Sequence, residues 1–233
     1  MSQQIIAMGG GGFSMEPENL LLDRYILEQT HRTTPKVCFL PTASGDSENY
    51  INRFYASFNK LDCTPSHLSL FKPHVSDLKE FILEKDVIYV GGGNTFNLLT
   101  LWKAWGLDVA LKEAWESGVI LAGLSAGSIC WFEQGITDSF SGSLSKLDCL
   151  GFLPGSNCPH YDGEENRRPS FHDLVLNREV TRGLAADDGV AFHFKGNDLY
   201  ETVSSRPTAM GYHVYNRDGE VLEETIKPVF LGE

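Results

Sequence analysis

The chain has 233 residues, 42% hydrophobic and 21% charged, with 31 acidic against 19 basic side chains and a formal charge of −12. Enough apolar material is present to exclude a disordered chain, and a core of this size needs no disulfide or metal staples. The negative field repels phosphate backbones, which argues against a nucleic-acid partner, and no apolar run approaches the roughly 20 residues that cross a bilayer.

From the N-terminus, Met1–Ile6 has no basic stretch ahead of an apolar one, so no export signal is expected. Five scattered cysteines, Cys38, Cys63, Cys130, Cys149 and Cys158, show no CxxC spacing and read as reduced core thiols of a cytoplasmic protein. Short β-rich runs follow at Ile5–Ala7, Val37–Leu40, His67–Leu70, Val87–Val90 and Val119–Leu124. Their Val, Ile and Leu content suits strands buried on both faces. Between them, Ile51, Phe54, Tyr55, Phe58 and Leu61 recur at helical spacing after an N-cap at Asp46 or Ser47. Ser76 is a second candidate cap, ahead of Leu78, Phe81 and Ile82. This alternation predicts an α/β fold, a mainly parallel sheet with helices on both faces.

Past Phe132 the composition changes. Gly135–Ser170 is rich in Gly, Ser, Asn, Asp and Pro and reads as loops around a site. The alternating runs Val190–Phe194, Leu199–Val203, Tyr212–Tyr215 and Val221–Thr225 are split by Gly196-Asn197 and Arg217-Asp218-Gly219. They predict C-terminal antiparallel hairpins appended to the parallel sheet. No repeat or linker interrupts the chain, and residues 1–233 read as one domain. Apolar positions such as Leu98, Leu101, Trp102 and Trp105 serve a core or an interface equally well, so a monomer and a homodimer both stay open.

The strongest local signal is Gly123-Leu124-Ser125-Ala126-Gly127, between an apolar strand and the helix-compatible run Ser128–Phe132. That context turns GxSxG into a nucleophile elbow, a sharp turn that lifts the serine out of the sheet. The Ala126 amide, at a helix N-terminus, can face a developing oxyanion. Gly91-Gly92-Gly93-Asn94-Thr95 also follows a strand and lacks the Lys-Ser/Thr of a phosphate loop, so a second oxyanion donor fits it better than a nucleotide. Gly9–Gly12 is a similar turn and reads as a rim.

A serine nucleophile needs a base and an orienting carboxylate. Of the seven histidines, His31, His67 and His74 read as surface groups. His193 and His213 fall in strands, and His172 in a helix-like run. His160, in Asn157-Cys158-Pro159-His160-Tyr161, is the preferred base. Spacing does not choose among Asp138, Asp148, Asp162, Asp187 and Asp188 as its partner.

Together, Gly91-Gly92-Gly93-Asn94-Thr95-Phe96, Gly123-Leu124-Ser125-Ala126-Gly127-Ser128 and Pro159-His160 resemble, in order and spacing, peptidase E (aspartyl dipeptidase) and its relatives, which include cyanophycinase. The resemblance spans Lys36 to about Phe194. It implies a flavodoxin-like three-layer fold and a serine-type exopeptidase that uses no cofactor or metal and cleaves small peptides next to aspartate. Under it, Ser125 is the nucleophile, His160 the base and Asp138 the preferred orienter. Asp188, in Asp188-Gly189, stands where the family carries Glu-Gly and is the alternative carboxylate. Gly93 and Ala126 supply the oxyanion amides, with Gly92 as substitute; Asn94 contacts substrate, and Arg167 or Arg168 holds its acidic side chain. Two other readings compete: an α/β-hydrolase esterase with His213 as base, and a catalytically silent small-molecule-binding domain on the same fold.

Overall fold

The computed structural model describes residues 3–140 and 143–232, so Met1 and Ser2 of the N-terminal stretch read above lie outside it. In chain order the first part runs β1 (Gln4–Met8), α1 (Gly12–Met15), α2 (Leu21–Glu28), β2 (Lys36–Leu40), α3 (Glu48–Phe58), β3 (Thr64–His67), α4 (Leu78–Leu83), β4 (Val87–Val90), α5 (Thr95–Trp105), α6 (Leu107–Glu116), β5 (Ile120–Leu124) and α7 (Ala126–Ile129). The second part runs β6 (Phe132–Thr137), β7 (Ser145–Asp148), β8 (Leu153–Cys158), α8 (Arg167–Leu176), β9 (Gly183–Ala186), β10 (Val190–Lys195), β11 (Asp198–Ser204), β12 (Gly211–Arg217), β13 (Glu220–Ile226) and β14 (Val229–Phe230).

An eight-stranded sheet has the order β14-β11-β10-β1-β5-β4-β2-β3. Its strands β1 to β5 pair in parallel, and β10 adds antiparallel to β1. Side chains alternate along these strands, which splits the core into two layers. Ile5, Ala7, Cys38, Leu40, Ile88, Val90 and Leu121 meet Leu98 and Trp102 of α5 and Leu107, Leu111 and Trp115 at α6. Ile6, Met8, Val37, Phe39, Val87, Tyr89 and Ala122 meet Leu22 and Ile26 of α2 and Tyr50, Phe54 and Phe58 of α3. This is the three-layer α/β arrangement expected. The cysteines among these residues are free thiols, and burial pushes Cys38, Cys149 and Cys158 up to about 12.

Several sequence expectations need correction. Gly135–Ser170 is not a run of loops, because it contains β7, β8 and the start of α8. These join a second, six-stranded sheet ordered β13-β12-β9-β8-β6-β7, with α8 packed on it through Phe171 and Val175. Of the two expected hairpins, β10–β11 extends the large sheet, whereas β12–β13 belongs to the small one. The helix after the elbow stops at Ile129, and Phe132 already begins a strand. The third strand lies earlier than expected, at Thr64–His67. Asp77, not Ser76, caps α4, accepting the Glu80 amide at 2.9 Å. Asp46 is drawn away from α3: one of its carboxylate oxygens accepts from the Ser69 hydroxyl and the Leu70 and Phe71 amides.

Candidate active site

The site forms where β1 and β5 end. Three consecutive carbonyls of one segment hold its three parts: Met8 accepts the Ser125 amide (3.3 Å), Gly9 the His160 amide (3.3 Å) and Gly10 the Gly189 amide (3.1 Å). Ser125 sits between β5 and α7 with φ 54° and ψ −116°, a conformation L side chains rarely adopt and the expected geometry of an elbow. Its neighbour Ala126 opens α7, so its N–H has no acceptor inside the helix. Among the described residues Ser125 Oγ has no hydrogen-bond partner.

β6 and β9 both flank β8 in parallel, and it is the β9 side that brings a carboxylate onto the histidine. Cys158 stands opposite Ala185, so His160 and Asp188 leave adjacent strand ends a few residues later. His160 Nδ1 lies 2.7 Å from Asp188 Oδ1, with both side chains nearly buried. The Asp188 amide in turn donates to Asp162 Oδ1 at 2.8 Å. A Cβ on Gly10 would overlap Asp188 Oδ1, so only glycine lets the carboxylate sit there. The rim turn Gly9–Gly12 is therefore the floor of the site.

Asp138, the preferred orienter, is not with His160. It is exposed beyond β6, where its neighbour Ser139 is tied to the start of α5 by its carbonyl and hydroxyl. Asn94 is correspondingly occupied, capping α5 through the Asn97 amide (2.9 Å) and donating to the Ser139 carbonyl (3.0 Å). Gly92 packs on Ser125, its virtual Cβ 3.3 Å from the Ser125 Cβ, but its amide is spent on the Tyr50 hydroxyl at 3.1 Å. Gly93 has φ 139° and a Cβ there would strike the Ala43 backbone, so this position too requires glycine. Among the described residues the amides of Gly93, next along the chain from Gly92, and of Ala126, next to Ser125, have no hydrogen-bond acceptor.

The arginines separate. Arg167 is buried, its Nε 2.6 Å from Glu164 and its Nη1 2.8 Å from the Ile136 carbonyl, so it is turned into the fold. Arg168 lies 4.7 Å from the ring centres of both Tyr161 and Tyr212, and 3.5 Å from Glu223. Glu223 also accepts from the Tyr161 hydroxyl and contacts His172. Asp187, beside Asp188, takes the Met210 amide, and burial raises its pKa. His213 lies on β12 of the other sheet, opposite Leu184 and Glu224. No group of His, Cys, Asp and Glu among the described residues has metal-site geometry.

The family model of peptidase family S51 matches residues 5–202. The chain belongs to this family. As an S51 member it is a serine-type peptidase, a hydrolase. Over 230 residues it is 62% identical to the uncharacterized peptidase YgaJ of Bacillus subtilis (strain 168), covering 99% of this chain and 100% of that one. It is 26% identical over 181 residues to Peptidase E of Shewanella denitrificans, covering 72% of this chain and 74% of the relative. The crystal structure of a peptidase from an acI-B1 Actinobacterium has the same fold, with a TM-score of 0.73 at 18% identity, covering 98% of this chain and 95% of that one. No helix among the described residues of this S51 peptidase is long and apolar enough to cross a membrane.

Tyr50 is absent from the sequence expectations, Asp162 is there a candidate partner of His160 and instead holds the Asp188 amide, and Gly10 is read there only as part of a rim. No local signal marks the two polar side chains, since each acts through a partner more than 25 residues away.

Proposed function

We propose that this S51 peptidase cleaves small peptides through an acyl-enzyme on Ser125, in an order that the His160–Asp188 pair carries. Ser125 Oγ attacks the scissile carbonyl carbon while His160 Nε2 takes the hydroxyl proton. Asp188, bound to Nδ1, holds the tautomer that leaves Nε2 free and stabilises the imidazolium that follows. Negative charge on the carbonyl oxygen meets the amides of Gly93 and Ala126, and each such donor contributes about 3 kcal/mol to the barrier reduction. His160 gives its proton to the leaving amine, the C–N bond breaks, and water attacks the ester by the same route. The unpartnered Ser125 hydroxyl fits this reading, because catalytic hydrogen bonds often close only in the substrate complex.

A preference for an N-terminal aspartate is the narrower form of this proposal, and Arg168 is its carrier. The guanidinium lies over the neighbouring rings of Tyr161, which follows His160, and Tyr212 of β12, and its contact to Glu223 is long enough for a substrate carboxylate to compete. The test is release of free amino acid from Asp-Xaa, Ala-Xaa, Glu-Xaa and β-Asp-Xaa dipeptides, with Ser125→Ala as blank. Turnover abolished in the variant supports the Ser125 mechanism, and selectivity for Asp-Xaa supports Arg168. Turnover that survives Ser125→Ala overturns the mechanism.

A further inference from the structure

Asp23 is fully buried in α2, far from any role in the steps above. One carboxylate oxygen accepts the Phe13 amide at 2.9 Å, and the other has no hydrogen-bond partner. A buried carboxylate left half-satisfied is costly, and such groups persist where they serve the site around them. Its surroundings have one purpose in common. Phe13 belongs to α1, the short helix that ends the Gly9–Gly12 floor. The next residue, Ser14, hydrogen-bonds the Tyr50 hydroxyl at 2.7 Å, and Tyr50 takes the Gly92 amide. Asp23 is thus the buried base of a partly buried chain of contacts that ties the Gly9–Gly12 turn to the Gly92 loop.

We infer that Asp23 is a positioning residue: its ionised carboxylate grips the Phe13 amide and so holds the floor that carries Ser125, His160 and Asp188. This rests on the peptidase reading above and adds a regulator to it, since loss of the charge weakens that grip and loosens the floor. A charge-assisted hydrogen bond is roughly twice as strong as a neutral one. The titratable groups facing Asp23 are Tyr89 from β4 and Tyr50 from α3, and among the described residues no cation offsets it. Burial raises its pKa to about 7, partly countered by the Tyr89 hydroxyl and the Phe13 amide. The floor therefore tightens as pH rises through neutrality.

Two readouts on the full chain test this, one of them independent of turnover. In 15N-labelled protein the Phe13 and Gly92 amides should shift together with a midpoint near pH 7, in the wild type and in Ser125→Ala, and not in Asp23→Asn. The ratio of wild-type to Asp23→Asn kcat, in which any pH dependence common to the two proteins cancels, should rise about tenfold from pH 6 to pH 8 with KM unchanged, the scale expected for a small misplacement. A flat ratio, or a Phe13 amide that does not titrate, overturns the proposal; a merely structural Asp23 would give a constant ratio. Should Asp23→Asn not fold, Tyr89→Phe decides: the midpoint of the Phe13 shift moves up if Tyr89 favours the ionised form, and an unmoved midpoint overturns the proposal. A wild type that neither turns over dipeptides nor labels at Ser125 with a phosphonate refutes the acyl-enzyme reading alone, and the amide shifts still decide whether Asp23 governs the two loops.

Discussion

Replacing Gly10 with alanine is the sharpest test of the site's construction. Gly10 does not need a positive φ, so alanine's backbone is allowed and the effect comes from the added methyl alone. That methyl would overlap Asp188 Oδ1 and crowd the Met15 sulfur at 2.9 Å. The flexible methionine can move, whereas Asp188 is held by its own amide on Asp162 and has Gly163 packed so close on the other side that a Cβ there would lie 2.7 Å from Oδ2. Relief requires the carboxylate to retreat by about 1 Å, a misplacement that costs about 10²-fold when it falls on a reacting constellation. The same figure follows from losing a hydrogen bond to a charged group, about 1.5–3 kcal/mol. We expect kcat/KM on the dipeptide panel to fall about 10²-fold with KM nearly constant, while the melting temperature drops by only a few degrees. Phosphonate labelling of Ser125 should slow in parallel. An alanine variant that keeps more than a third of wild-type kcat/KM would show that the His160–Asp188 contact does not set the rate.

Further outcomes follow from the same geometry. Asp188→Asn should lower kcat by about 10³–10⁴-fold by leaving His160 in the wrong tautomer, and Asp138→Asn should stay close to wild type; equal losses in steady-state assays would contradict the assignment. Arg167→Met should lower stability by about 1–3 kcal/mol in urea unfolding, because it strips the donor from the buried Ile136 carbonyl, and should leave substrate preference unchanged. Arg168→Met should instead raise KM for Asp-Xaa alone. His193, buried against Tyr25 and Gln4, has its pKa lowered to about 4 by burial, so it is neutral in the fold while the unfolded chain takes a proton below about 6.5. Stability from this group is lost as pH falls from about 6.5 to 4, by about 3 kcal/mol, and His193→Phe should remove that slope. Asp23 has the opposite sign: with its pKa raised, the fold keeps a proton the unfolded chain gives up above about 4, so stability falls as pH rises towards 7. Asp23→Asn should therefore be more stable than wild type at pH 8, by up to about 4 kcal/mol in denaturant titrations.

The parallel half of the fold was legible because its strands are buried on both faces, so Val37–Leu40 and Val87–Val90 are runs that fit little else. The second sheet was not, because its strands carry the composition of turns. β8 is Leu-Pro-Gly-Ser-Asn-Cys, largely buried, and β7 is the half-buried Ser-Lys-Leu-Asp, segments whose pairing comes from neighbours rather than from their own apolar content. Ser125 and His160 could be read because elbow and Pro-His each carry a local backbone demand, and both residues do have positive φ. Which carboxylate meets His160 could not be read, since Asp138 and Asp188 both leave strands that flank β8 and only the path of the chain beyond them separates the two. The arginines show the same limit: adjacent in sequence, one is buried in an internal ion pair and the other is stacked at the surface.

The place of β1 governs when activity can arise during synthesis. This strand emerges first, yet it lies between β5 and β10, and its end waits for Ser125, His160 and Gly189 to be laid against three successive carbonyls. Contacts so distant along the chain form late and carry a high loop-closure cost. A nascent chain that stops short of Asp188 holds Ser125 and His160 without the carboxylate that pairs with His160, so on the proposed mechanism the protease is armed only late in its synthesis.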